Sequence, residues 1–168
     1  MTDSIPIPPP TGRLFDEFEL GQAFESPGRT VTEADIAAFA AWSGDWNPLH
    51  TDEEYAQRTP FRGRVAHGLL IQSISTGLSN RIGIFEGTVA ALASMRIDYR
   101  APTRAGDTVR LILEVVEIDP EPSGRRGWVR FQSRVLNQRD EIVIDGEWRA
   151  ILLRQPPRQR RRRTEPSA

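Results

Sequence analysis

The chain has no cysteine among its 168 residues, which excludes disulfides, a cysteine nucleophile and thiolate metal sites. That absence suits a reducing compartment, and a cytoplasmic location is the expectation. Lysine is missing too: all 22 basic residues are arginine, a bias that genomic base composition or adaptation to heat would each produce. With 23 acidic residues against them the net charge is -1, so no global basic field exists to draw a nucleic acid, and none is expected as a partner. Long apolar runs are also lacking. The longest uncharged stretch, Val65 to Asn80, has 16 residues, several of them polar. A bilayer span needs about 20 predominantly apolar residues, so no membrane association is expected. Met1 to Pro10 offers neither a basic n-region nor an apolar h-region and does not read as a signal peptide.

What is present fits one soluble globular domain of ordinary composition, with 38% hydrophobic and 27% charged residues. Thr32-Glu33-Ala34-Asp35 resembles a capping box, Ile36, Phe39 and Ala40 form an apolar stripe, and Ser43-Gly44 supplies a stop, which predicts a helix over 33–42. A shorter helix is signalled by Thr51-Asp52-Glu53-Glu54, with Arg58 near its end and Pro60 beyond. The segment between these two helices reads as irregular backbone. From Ala66 to about Arg81 apolar residues fall nearly all round a helical projection, which predicts a long buried helix. After Gly87 the period becomes two. Strands are expected over 89–99, 108–118, 127–136 and 142–153, with connections short enough for antiparallel hairpins. The economical arrangement is an α+β domain in which the sheet curls around the long helix. Residues 1–14 read as an extended lead-in, 15–154 as the domain, and 155–168 as a tail whose Arg160-Arg161-Arg162-Arg163 run is either solvated or a phosphate-binding patch.

Only two histidines occur, His50 and His67. His50 lies five residues after Asp45 on the interhelical connection, where imidazole and carboxylate can converge as a general acid/base pair. Spacing alone leaves another reading open: Asp45 and Asn47 make Asx-type turn bonds while His50 caps or packs. A metal site built on His50 with Asp45 or Asp52 lacks a compact third ligand, so no metal is expected. A lone histidine at the head of a buried helix, such as His67, reads as a structural residue. No phosphate loop, dinucleotide fingerprint or nucleophile elbow is present.

The run Trp42-Ser43-Gly44-Asp45-Trp46-Asn47-Pro48-Leu49-His50, followed by Ala56, resembles the "hydratase 2" motif of the MaoC-like (R)-specific enoyl-CoA hydratases and acyl dehydratases. The resemblance continues in His67-Gly68, 17 residues after His50, and in Tyr99-Arg100-Ala101-Pro102 with Gly106-Asp107. It implies the hot-dog fold and a reversible syn hydration of trans-2-enoyl-CoA to (R)-3-hydroxyacyl-CoA, without cofactor or metal. It implies further that Asp45 and His50 activate the water and that the backbone N–H of Gly68 serves as oxyanion donor. Asn47, Thr76 and His67 would be supporting residues, with Thr76 standing where some members place a serine hydrogen-bonded to the catalytic aspartate. Residues among Leu78 to Phe85 are expected to close the acyl tunnel, and 22 arginines leave the phosphate contacts of coenzyme A unassigned. A homodimer, or an assembly of dimers, is the implied state. Two other readings within the fold stay open: a non-catalytic acyl-thioester-binding or scaffolding subunit, and a thioesterase.

Overall fold

The computed structural model describes residues 11–122 and 124–155. Most of the expected lead-in and nearly all of the Arg-rich tail therefore lie outside the described residues. Where the lead-in enters them it is docked: the amides of Gly12 and Arg13 donate to the carbonyls of Glu86 and Ile84, each at 2.9 Å.

A short 3-10 turn at Phe15–Glu17 leads to two small strands, β1 (Ala23–Glu25) and β2 (Arg29–Thr30). Helix α1 (Glu33–Ser43) follows, then α2 (Pro48–Thr51), α3 (Glu53–Gln57) and the long α4 (Gly68–Ile82). Strands β3 (Val89–Tyr99), β4 (Thr108–Pro120), β5 (Arg126–Leu136) and β6 (Ile142–Leu153) complete the chain. The antiparallel sheet has the order β1-β4-β5-β6-β3, with β2 also on β4. This is the expected α+β order, with two additions. Strands β1 and β2 are not predicted, being too short to carry a period of their own; β1 pairs with Ile112 to Glu114 of β4 on the edge away from β5, and β2 with Thr108 and Val109 before the β5 pairing begins. Helix α2 lies where irregular backbone is expected.

Strands β4, β5 and β6 alternate buried and half-buried positions, so each gives one face to the core. Leu111 and Leu113 of β4, Val129 and Phe131 of β5 and Trp148 of β6 pack with Leu70, Ile71, Ile74 and Leu78 of α4 in a single cluster. Each such aliphatic or aromatic side chain contributes roughly 1.5–3 kcal/mol when fully buried. The register of β4 on β5 shifts between Val115 and Glu117, and β3 on β6 shifts between Leu92 and Ser94; such irregularities bend a sheet locally.

Helix α4 is less enclosed than its apolar pattern implied. Leu69 is 60% exposed, and Ser73, Thr76, Gly77 and Asn80 are exposed with it, so one stripe of the central helix faces out. Strand β3 is equally bare: among the described residues it pairs only with β6, and Val89, Leu92 and Tyr99 stand exposed. Small polar residues on that stripe account for the difference, because an outward helix face needs no apolar side chains to stay folded.

Helix α1 is fixed at both ends. Thr32 Oγ1 accepts from the amide of Asp35 at 3.1 Å, while the Asp35 carboxylate accepts from the amide and hydroxyl of Thr32, both at 2.8 Å, and from Arg29 at 2.7 Å. Gly44 closes the helix at φ 77°, where a side chain would be strained. Burial alone would raise the Asp35 carboxyl, but the Thr32 amide and hydroxyl and the Arg29 guanidinium outweigh it and hold it below its ordinary value. A group with a lowered folded value contributes stability that is present at neutral pH and is lost as the pH falls through that value. Thr32→Ala should therefore lower stability at neutral pH by about 1 kcal/mol. In urea unfolding its difference from the wild type should shrink in acid below the carboxylate range; a difference that stays constant with pH would contradict the account.

Candidate active site

Each residue of the site is placed by a local device. After Gly44 turns the chain, Asp45 Oδ1 accepts from the amide of Asn47 at 3.3 Å. Asn47 Oδ1 in turn accepts from the amide of Leu49 at 3.0 Å and so caps α2, the single helical turn that carries His50. Asn47 thus makes the turn bonds that spacing alone allowed and caps the helix that carries His50. The chain then runs through α3 and returns as the segment Val65-Ala66-His67 to begin α4.

That returning segment holds both imidazoles. His50 Nδ1 lies 2.7 Å from the carbonyl oxygen of Val65, and a carbonyl only accepts, so Nδ1 carries a hydrogen and in the neutral ring Nε2 keeps a bare lone pair. His67 Nε2 lies 2.9 Å from the carbonyl oxygen of Asp45. The two rings stack with centroids 3.8 Å apart and planes 30° apart. Ala66 donates to the carbonyl of Thr103 at 2.7 Å, which ties the segment to the loop after β3.

Helix α4 starts at Gly68 with no side-chain cap, so its first N–H groups are open and the positive end of its dipole points into the same space. Gly68 is required there by contact: a Cβ at this position would fall 2.5 Å from Cε1 of Tyr99. Tyr99 is exposed as a whole, but partial desolvation against the cavity raises its phenol above its ordinary value, so it stays protonated at neutral pH.

Asp45, His50, His67, Gly68 and Tyr99 all line one cavity of about 620 Å³. Its apolar wall comes from Phe39, Phe61, Leu69, Ile71, Val143 and Ile144, and Arg100 stands at the wall beside Tyr99. None of the residues from Leu78 to Phe85, expected to close an acyl tunnel, lines it. Leu78 and Ile84 are spent on the core instead. Thr76 is likewise outside the lining: it is exposed, two turns along α4 from Gly68, and its hydroxyl donates to the carbonyl of Ser73 at 2.7 Å. His67, which the resemblance implied as a supporting residue and which by its position alone read as structural, lies against the His50 ring.

Three potential ligand atoms, from Asp45, His50 and His67, lie within 4.8 Å of one another, so the fold supplies the third group that the sequence pattern lacked. One nitrogen of each ring serves a backbone carbonyl, and the other is left for a proton, a water or a ligand. An apolar cavity with a carboxylate, an imidazole bearing a bare nitrogen and an open helix N-terminus can move a proton and stabilise a developing oxyanion.

Comparison with known proteins agrees with this chemistry. The family model described as the MaoC like domain matches residues 17–127. A 3-hydroxybutyryl-CoA dehydratase of Methylorubrum extorquens is 38% identical over 134 residues, covering 79% of this chain and 80% of that protein. An (R)-specific enoyl-CoA hydratase of Rhodospirillum rubrum is 36% identical over 134 residues, covering 79% and 87%. Among solved structures, a MaoC-like dehydratase from Rhodospirillum rubrum superposes with a TM-score of 0.78 at 31% identity, covering 87% of this chain and all of that one. A Mycobacterium tuberculosis protein with a double hot-dog fold, 24% identical, shares the fold with a TM-score of 0.75 over 89% of this chain and 47% of its own. The fold is the hot dog, and the chain belongs to the MaoC-like hydratases and dehydratases.

Proposed function

We propose that the protein catalyses the reversible syn hydration of trans-2-enoyl-CoA to (R)-3-hydroxyacyl-CoA, needing no cofactor or metal. The observation that carries this reading is the convergence on one cavity of the bare Nε2 of His50, the Asp45 carboxylate and the open N–H of Gly68. The similarity to an (R)-specific enoyl-CoA hydratase supports the stereochemistry, and the similarity to a 3-hydroxybutyryl-CoA dehydratase supports the reverse direction on the same substrate class.

In the forward direction a water held between Asp45 and His50 attacks the β-carbon. One of its hydrogens passes to the pair, its oxygen becomes the hydroxyl, and the π electrons move onto the thioester oxygen. The N–H of Gly68 and the α4 dipole stabilise that enolate, a contribution of about 3 kcal/mol for one such donor. The pair then delivers a proton to the α-carbon on the face that took the hydroxyl, which restores the carbonyl. Acid/base catalysis by a positioned group contributes about two to four orders of magnitude. The apolar wall of Phe39, Phe61, Ile71, Val143 and Ile144 takes the acyl chain.

A second copy of the chain is the partner this reading favours. The bare edge of β3 and the open stripe of α4 would be covered together if two sheets joined edge to edge. Light scattering on the eluting protein should give twice the 18.9 kDa of one chain, and Leu92→Arg should shift it toward the monomer; a monomeric wild type would contradict this.

Addition of the protein should abolish the near-ultraviolet absorbance of the conjugated thioester in crotonyl-CoA or a longer enoyl-CoA, and Asp45→Asn or His50→Gln should slow this by about two orders of magnitude or more. Full activity in both variants would remove the assignment. Gly68→Ala drives a methyl into the Tyr99 ring, so it should cut kcat severely, and adding Tyr99→Ala should restore part of it. Wild-type kcat in Gly68→Ala would show that the Tyr99 ring gives way to the methyl and that this contact does not set the start of α4.

A further inference from the structure

His67 is the buried group of the cavity for which the proposed reaction has no role. It is 2% exposed, it stacks on His50, Phe39 lies 5.0 Å from it on centroids, and its Nδ1 has no hydrogen-bond partner. A buried polar atom left without a partner requires an explanation. Its other nitrogen supplies one: Nε2 faces the carbonyl oxygen of Asp45 at 2.9 Å, and only a nitrogen bearing hydrogen makes that bond. A hydrogen on Nδ1 as well would be buried with nothing to accept it, so Nδ1 keeps its lone pair. His50 is fixed the opposite way, with its hydrogen on Nδ1 and its bare nitrogen at Nε2.

We infer that His67 is a positioning residue that holds the catalytic pair in register by two contacts, and that the two histidines are locked in opposite tautomers. Its Nε2–H ties down the backbone of Asp45, whose side chain is exposed and whose neighbours on either side belong to a turn. Its ring is a neutral, immobile face against which the His50 ring lies flat, so that His50 can rotate neither away from the cavity nor off the Val65 carbonyl. When His50 takes a proton from water, the charge forms over a neutral ring instead of beside a second cation. A register error of about 1 Å in such a pair costs on the order of a hundredfold in rate. The inference rests on the proposed hydratase chemistry for its kinetic consequence, but the tautomers do not depend on it.

Two substitutions separate the contacts. His67→Phe keeps a ring for His50 to stack on and removes the donor to Asp45; His67→Gln keeps an N–H at the corresponding reach and removes the ring. Each should lower kcat by about ten- to a hundredfold with KM within about threefold, at a folded fraction verified by circular dichroism. A residue needed only for folding would lower the folded fraction and leave kcat per folded molecule unchanged. Wild-type kcat in both variants would overturn the inference while leaving the hydratase assignment in place. The second measurement needs no turnover. Long-range proton–nitrogen NMR of the 15N-labelled full chain reads the tautomer of each ring, and the expected result is Nδ1–H for His50 and Nε2–H for His67. Should the wild type show no hydration at all, the functional reading falls and this spectrum alone decides: opposite tautomers sustain the locking, and matching ones overturn it.

Discussion

The bond from His50 Nδ1 to the carbonyl of Val65 is the constraint on which the rest of the site depends. It joins the one-turn helix α2 to the segment that begins α4, and it settles which imidazole nitrogen is bare. The same three-residue segment presents Val65 to His50, Ala66 to the loop after β3 and His67 to Asp45, so one short piece of backbone sets Asp45, the His50 imidazole and the start of α4 relative to each other. None of these groups sits on the sheet. The sheet matters because it pins α4 from below through Leu70, Ile71, Ile74 and Leu78, and a pinned α4 keeps its N-terminus where the cavity needs it.

How much of this was legible in the sequence follows the range of the forces involved. Thr32 and Asp35 announce α1, Gly44 announces its end, and the period-two run from Val89 announces β3; these signals act between residues a few positions apart. Helix α2 was hidden because Pro48 and Asn47 are turn residues and a helix starter at once, and a four-residue helix leaves no period to detect. Strands β1 and β2 were hidden because their existence is decided by β4, more than 75 residues away. The resemblance to the hydratase motif identified Asp45, His50 and Gly68, and all three line the cavity. The stack of His67 on His50 depends on how the chain returns after α3, and composition carries no trace of that.

Thr76, which the resemblance set where some members place a serine, and the segment from Leu78 to Phe85, expected to close an acyl tunnel, both lie outside the lining of this cavity, because a helix delivers only its first turn to a cavity at its N-terminus. Beyond Ile71 the helix turns its side chains either into the core or outward. Thr76 belongs to the outward stripe, which stands exposed like the edge of β3 that is unpaired among the described residues. The apolar wall of the cavity is built from side chains of separate elements, Phe39 of α1, Phe61 of the loop after α3 and Val143 and Ile144 of β6, so its shape is a property of the tertiary fold and not of one motif.

The central claim is that one carboxylate–imidazole pair handles both the oxygen and the hydrogen of a single water on one face of the substrate, opposite a backbone donor. Running the reaction on crotonyl-CoA in deuterium oxide and analysing the product by chiral separation and NMR tests this most directly. The account predicts (R)-3-hydroxybutyryl-CoA carrying one deuterium at the α-carbon, on the face that received the hydroxyl. Deuterium on the opposite face, an (S) alcohol, or release of free coenzyme A without hydration would contradict it.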